Sequence, residues 1–146
     1  MLKTGDEIEN FTSLLDNGEE FKLEDYKDQD LILFFFPSAF TPGCTKEACS
    51  FRDNYSQFKQ NGLILIGVSF NSVGQQAKFK DKHNLPFPLL SDKDKELIKM
   101  FGVKSLLGWS KRKTFWIRNN KIMHVWENVN PSDHADEIIA MIKQKS

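Results

Sequence analysis

Apolar residues follow two different rhythms along this chain. Residues 31–36, Leu-Ile-Leu-Phe-Phe-Phe, are apolar without a break, and residues 63–69 hold Leu63, Ile64, Leu65, Ile66 and Val68. Continuous runs of this length suit strands buried on both faces of a sheet. Between them Thr41 and Pro42 form a helix start, Thr41 as N-cap and Pro42 at the first helical position, and nothing afterwards interrupts a helix carrying Phe51, Tyr55 and Phe58. The result is a strand-helix-strand unit. Residues 72–83 are polar and amphipathic, with Ala77 and Phe79 facing a core, and end near Asn84 and Pro86. They read as a helix. Residues 86–90 read as extended and 95–101 as a short helix, while 113–117 and 122–127 form a hairpin across Asn119-Asn120. A last helix starts near Ser132 or Asp133 and turns Ile138, Ile139 and Ile142 inward.

Strands alternating with helices, then a hairpin and a terminal helix, describe an α/β fold: a three-layer sandwich around a mixed sheet. No repeat, low-complexity block or linker divides residues 1–146, so one domain is expected. The helix after residues 31–36 begins at the carboxyl end of a central strand, where open α/β sheets place their ligands.

Composition narrows the function without naming it. Twenty basic and twenty acidic residues cancel, which leaves no overall field for nucleic acid or an anionic membrane. Lys111-Arg112-Lys113 reads as loop charge rather than a nucleic-acid patch. The first residues lack an apolar signal region, and no apolar run approaches the roughly 20 residues a spanning helix needs. A reducing cytoplasm is therefore expected, where paired cysteines are more often catalytic or metal-binding than structural. His83, His124 and His134 show no metal-ligand spacing with the cysteines, so neither a metal nor another cofactor is expected.

The two cysteines, Cys44 and Cys49, differ in their surroundings. Cys44 lies in the first turn of the expected helix, where backbone N–H groups and the positive end of the dipole favour a thiolate. Cys49 lies deeper and lacks that help. Residues five apart on a helix have Cα atoms roughly 8.7 Å apart, whereas a disulfide needs less than about 7 Å. A permanent staple is excluded, and a bond formed during function requires the start of the helix to unwind.

The segment FFFPSAFTPGCTKEACSFRD, residues 34–53, resembles the peroxiredoxins, whose pattern of Pro, three residues, Thr or Ser, two residues and Cys is met by Pro37, Thr41 and Cys44. TPGCTKEACSFRD is most similar to the bacterioferritin comigratory protein group, also called peroxiredoxin Q. The resemblance continues through Lys82-His83-Asn84, Asp92, Phe101-Gly102-Val103 and His134-Ala135-Asp136-Glu137, and so covers nearly the whole chain. It implies a thioredoxin-like fold, a peroxidatic Cys44 and a resolving Cys49. It further implies recycling by thioredoxin or a glutaredoxin-like dithiol, and a catalytic Arg just before a late strand, which corresponds to Arg112 in Arg112-Lys113-Thr114-Phe115. Arg118 is the competitor, although its place at the hairpin turn points it to solvent. The expected assembly is a monomer or weak homodimer.

The chemistry supports these roles. An ordinary thiol is about 3% thiolate at pH 7, so full ionisation gains at most about thirtyfold, or roughly 2 kcal/mol. Fast peroxide reduction needs further donors aimed at the breaking O–O bond. The Thr41 hydroxyl, the N–H groups of Gly43 and Cys44, and the Arg112 guanidinium are candidates, with Gly43 leaving room for close approach and Pro37 walling the pocket against water. Glu47, one turn beyond Cys44, reads as the partner that orients an Arg side chain. The expected reaction is reduction of hydrogen peroxide and small organic hydroperoxides. The alternatives are a thiol-disulfide oxidoreductase or redox sensor on the same fold, and a non-catalytic metal-binding or interaction module. Cys-x-x-Cys, the usual oxidoreductase spacing, is absent.

Overall fold

Unbroken apolar strands need cover on both faces, and the sheet gives it by placing them at its centre. In the computed structural model, which describes residues 1–145, the strands are β1 (Thr12–Leu15), β2 (Glu20–Lys22), β3 (Asp30–Phe35), β4 (Leu63–Ser69), β5 (Leu89–Ser91), β6 (Lys113–Arg118) and β7 (Lys121–Trp126). They form one sheet in the order β2-β1-β5-β4-β3-β6-β7. β3, β4 and β5 are parallel, while β6 and β7 on one side and β1 and β2 on the other run antiparallel to their neighbours. The helices are α1 (Pro42–Asp53), α2 (Tyr55–Gln60), α3 (Val73–His83), α4 (Glu96–Phe101) and α5 (His134–Lys145).

Alternation along β3 divides the core in two. Ile32, Phe34 and Phe36 join Ala48, Phe51, Phe58, Phe79, Ile138 and Ile142 on the face covered by α1, α2, α3 and α5. Leu31, Leu33 and Phe35 join Leu97, Ile98, Phe101 and Phe115 on the face covered by α4. This is the three-layer α/β sandwich with a mixed sheet that the pattern predicts. The hairpin also lies where expected: Asn119 and Asn120 both take positive φ, 51° and 58°, the pair of left-handed residues that a two-residue turn matched to strand twist requires.

Four expectations need correction. The helix after Thr41 does not run unbroken to Phe58, because Asn54 leaves helical geometry at φ −109°, ψ 10° and its side-chain Nδ2 donates to Ser50 O at 2.8 Å. An Asn offering its own hydrogen bond to a carbonyl four residues back competes with the ladder. Phe51 and Phe58 nevertheless stay buried and meet edge to face at 5.6 Å. Strands β1 and β2 were not predicted, being short and largely exposed; Leu14 points to solvent. In the helix at 72–83, Ser72 is the N-cap of a full capping box with Gln75, and Gln76 rather than Ala77 is buried beside Phe79. Finally, α5 begins at His134, just after the predicted start.

Gly67 in β4 is where the helix layer presses closest on the sheet, since a Cβ there would lie 2.6 Å from Phe34 Cζ and 2.8 Å from Leu89 Cδ2. Gly67→Ala is expected to destabilise the protein by about 1–3 kcal/mol through overpacking. Urea denaturation should show this as a lowered midpoint at unchanged slope.

Candidate active site

The site is assembled where β3 stops. Phe36 N–H donates to Val68 O at 3.0 Å, extending the pairing by one residue, and the chain then turns through residues 37–41 into α1. Pro37, half-buried, opens this turn. Thr41 is the N-cap in backbone terms, with extended φ/ψ and its carbonyl accepting from Thr45 N–H at 2.9 Å. Its side chain, however, makes no cap: the hydroxyl donates back to Ser38 O at 2.8 Å. The N–H groups of Gly43 and Cys44 precede the first helical hydrogen bond, in the turn where donors have no carbonyl of their own helix to reach.

Cys44 is 1% exposed. Arg112 reaches it from the residue preceding β6, donating from Nη2 to Cys44 Sγ at 3.3 Å and from Nη1 to Glu47 Oε1 at 2.7 Å. One guanidinium thus bridges a buried sulfur and a buried carboxylate, whose side chains lie almost one helical turn apart on α1. Gly43 makes room for this bridge, since a Cβ there would sit 3.0 Å from Arg112 Nη2. The loop leading into Arg112 is held by Lys111 N–H donating to Val103 O at 2.6 Å and by a bridge between Lys104 and Ser110. Its apolar tip, Leu106 and Leu107, is exposed, while Trp109 stacks on Phe70 at 5.9 Å. Arg118, at the other end of β6, pairs with Asp30 at 3.1 Å and is not brought to Cys44.

Two buried groups beside Arg112 have unusual ionisation. Burial raises the Glu47 carboxyl to about 7, outweighing the charge and hydrogen bond of Arg112, and its Oε2 has no hydrogen-bond partner. Arg112 stays above its ordinary value because Glu47 and Cys44 together outweigh its own burial. His134, fully buried at the head of α5, is lowered to about 4 by burial and then by the Arg112 charge. Its Nε2 lies 2.6 Å from Thr114 Oγ1, and its Nδ1 has no hydrogen-bond partner. This His134-Thr114 pair was missed as part of the site, although Thr114 stands two residues beyond Arg112 and therefore on the same side of the strand. Cys49 is half-buried further along α1, and both thiols are free. A groove of about 500 Å³, lined by residues such as Ser13, Ser72, Gly74 and Asp92, shares no residue with this site. Among the described residues no helix is long and apolar enough to cross a membrane.

A thioredoxin-like α/β fold that sets a buried cysteine at a helix start under a guanidinium defines a thiol-dependent peroxidase of the peroxiredoxin class. Comparison with known proteins agrees. Residues 4–125 match the AhpC/TSA family, and the chain belongs to it, within the Bcp or peroxiredoxin Q group. It is 40% identical to Peroxiredoxin Bcp of Bacillus subtilis over 90% of this chain and 88% of that one. Among solved structures it is similar to peroxidoxin BcpB of Mycobacterium tuberculosis, with 37% identity, a TM-score of 0.91 and coverage of 100% and 99%. It is also similar to the bacterioferritin comigratory protein of Xanthomonas campestris, described for its alkyl peroxide reduction, with 28% identity, a TM-score of 0.87 and coverage of 96% and 99%. The chain is thus an enzyme that reduces peroxide at the expense of a thiol reductant.

Glu47 and His134 pull the stability of the fold in opposite directions with pH. Glu47, raised on folding from 4.5 to about 7, makes the native state hold the extra proton, so its contribution is full below about 4.5 and is lost as pH rises through about 7. His134, lowered from 6.5 to about 4, makes the unfolded state hold the proton, so its contribution is full above about 6.5 and is lost as pH falls through about 4. In chemical denaturation between pH 4.5 and 6.5, Glu47→Gln should gain stability with rising pH more steeply than wild type. His134→Phe should show the reverse change of slope.

Proposed function

We propose that Cys44 is the peroxidatic cysteine and Cys49 the resolving one, and that the Arg112 bridge to Cys44 and Glu47 is the observation that carries this reading. The Cys44 thiolate attacks one oxygen of the peroxide in line with the O–O bond. The S–O bond forms as O–O breaks, giving sulfenic acid and an alkoxide or hydroxide that takes up a proton to leave as alcohol or water. A sulfur facing a helix start and a guanidinium is favoured as the anion. The N–H groups of Gly43 and Cys44, the Thr41 hydroxyl and the second arm of Arg112 are the donors for the developing charge, and Pro37 excludes water from the turn. Glu47 holds Arg112 at the angle that keeps its other arm on sulfur.

The Cys49 thiol then attacks the sulfenic sulfur, the S–S bond forms and water leaves. A dithiol protein, thioredoxin or a glutaredoxin-like one, returns two electrons and two protons and restores both thiols. The substrates are hydrogen peroxide and small organic hydroperoxides, the latter supported by the activity named for the Xanthomonas relative. All the proposed groups come from one chain, which supports a monomer or weak homodimer, and free thiols suit a reducing cytoplasm. The reaction as written uses no cofactor.

Cys44→Ser should abolish peroxide consumption in a thioredoxin-coupled assay while circular dichroism stays native, because an alcohol is a far weaker nucleophile near neutral pH. Arg112→Lys should slow sulfenic acid formation by roughly 10²-fold, since an ammonium cannot reproduce the two-armed donor. Arg118→Lys should leave the rate near wild type. Retention of even a tenth of the activity in Cys44→Ser would sink the assignment.

One equivalent of peroxide should link Cys44 to Cys49 within a single chain. Both lie on α1, where helix geometry holds their Cα atoms roughly 8.7 Å apart, so the bond requires residues 41–50 to unwind. Hydrogen exchange of the oxidised protein should accelerate at those amides and leave β4 protected. Cys49→Ser should stop at sulfenic acid and pass to sulfinic acid in excess peroxide. Unchanged protection across 41–50 in the oxidised protein would show that Cys49 is not the resolving thiol.

A further inference from the structure

The turn that carries Pro37 and Thr41 is not held by its own residues. Its central anchor is Asn71, in the segment between β4 and α3, which is 6% exposed. Asn71 Oδ1 accepts from Ala39 N–H at 2.8 Å and from the Ser69 hydroxyl at 2.7 Å. Its Nδ2 donates to Ser38 Oγ at 3.4 Å and to Gln75 Oε1 at 3.3 Å. The anchor is itself fixed from three elements: Ser91 Oγ of β5 donates to Asn71 O at 2.7 Å, and Gln76 of α3 donates from Nε2 to Ser69 Oγ at 2.9 Å and to Leu90 O at 2.8 Å.

What the anchor fixes is the direction of the Ser38 carbonyl, which accepts the Thr41 hydroxyl, and the turn at Phe40, whose φ of 69° is left-handed. A non-glycine residue held there costs about 1–2 kcal/mol relative to ordinary backbone. Released from Ala39, the turn relaxes, and Thr41 moves relative to Cys44. We propose that Asn71 is a positioning residue for the peroxide half of the cycle, setting the turn at 37–41 through Ala39 and Ser38. The reductant acts on the unwound, oxidised form, in which the alignment of Thr41 with Cys44 has already been given up. Asn71 therefore governs one half-reaction and not the other. This rests on the assignment of Cys44 above.

The test uses the full chain and two separate stopped-flow measurements: oxidation of the reduced enzyme by hydrogen peroxide, and reduction of the oxidised enzyme by thioredoxin. Asn71→Leu, close in size but without the amide, should slow oxidation roughly tenfold or more, as expected for a misplaced catalytic group, and leave the reduction rate within about twofold. Asn71→Asp keeps an acceptor for Ala39 and Ser69, and the Ser38 hydroxyl can turn to donate to the second oxygen. It should restore oxidation to within about threefold of wild type. If Asn71→Leu does not fold, Asn71→Ala is measured in its place. An unchanged oxidation rate, equal losses in both half-reactions, or a loss in Asn71→Asp as large as in Asn71→Leu would each overturn the proposal. Cys44→Ser is run alongside: peroxide consumption there would fail the assignment of the site, whereas an inert Cys44→Ser with unimpaired Asn71→Leu fails the Asn71 proposal alone.

Discussion

Everything at this site depends on a single cation shared between two buried acids. Arg112 has one arm on Cys44 and the other on Glu47, and the three groups lie on two elements that no local rule brings together. The sheet does so. β6 pairs antiparallel with β3 in the register Phe35 opposite Lys113, so the residue just before β6 lies beside the segment that has just left β3. A slip of one residue would turn every side chain of β6 to the opposite face and carry Arg112 away from α1. Thr114 and Phe115, buried on opposite faces, make such a slip costly.

The same arrangement leaves polar atoms unsatisfied in the interior. Glu47 Oε2 and His134 Nδ1 have no hydrogen-bond partner, close to a guanidinium that is itself partly withdrawn from water. Low dielectric strengthens each contact that is made and penalises each that is not. A chain selected for stability alone would place hydrocarbon here, since buried ion pairs are often no better than well-packed apolar residues. The polar cluster makes sense as machinery: it holds a cation against sulfur in a place where water cannot screen it.

Much of this was legible in the sequence. Central strands, hairpin and cysteine helix are marked by unbroken apolar runs, by Asn119-Asn120 and by Thr41-Pro42, signals that act over a few residues. Cys44, Arg112 and Glu47 were found because their spacing and resemblance carry the chemistry with them. What stayed hidden depended on contacts far apart in the chain. The break at Asn54 is decided by a side chain choosing the Ser50 carbonyl, β1 and β2 are too short and exposed to show a pattern, and Thr41 looks like a side-chain cap until Ser38 O is seen to take its proton. His134 meets Thr114 only through the packing of α5 against the sheet. Asn71, ahead of an N-cap serine, reads locally as a turn residue.

The interruption at Asn54 sets the size of the cooperative unit around the cysteines. In an unbroken helix from Pro42 to Gln60, fraying at the start would compete with the packing of Phe51 and Phe58 as one body. Because the ladder is divided at Asn54, the twelve residues of α1 form a foldon of their own, joined to α2 by Asn54 but free to open without it. Nucleation entropy then favours quick reclosure, since the Asn54 contacts with Ser50 and Phe51 keep a turn in place from which the helix can regrow. The break acts as a fuse, confining each redox cycle's disorder to the segment that needs it.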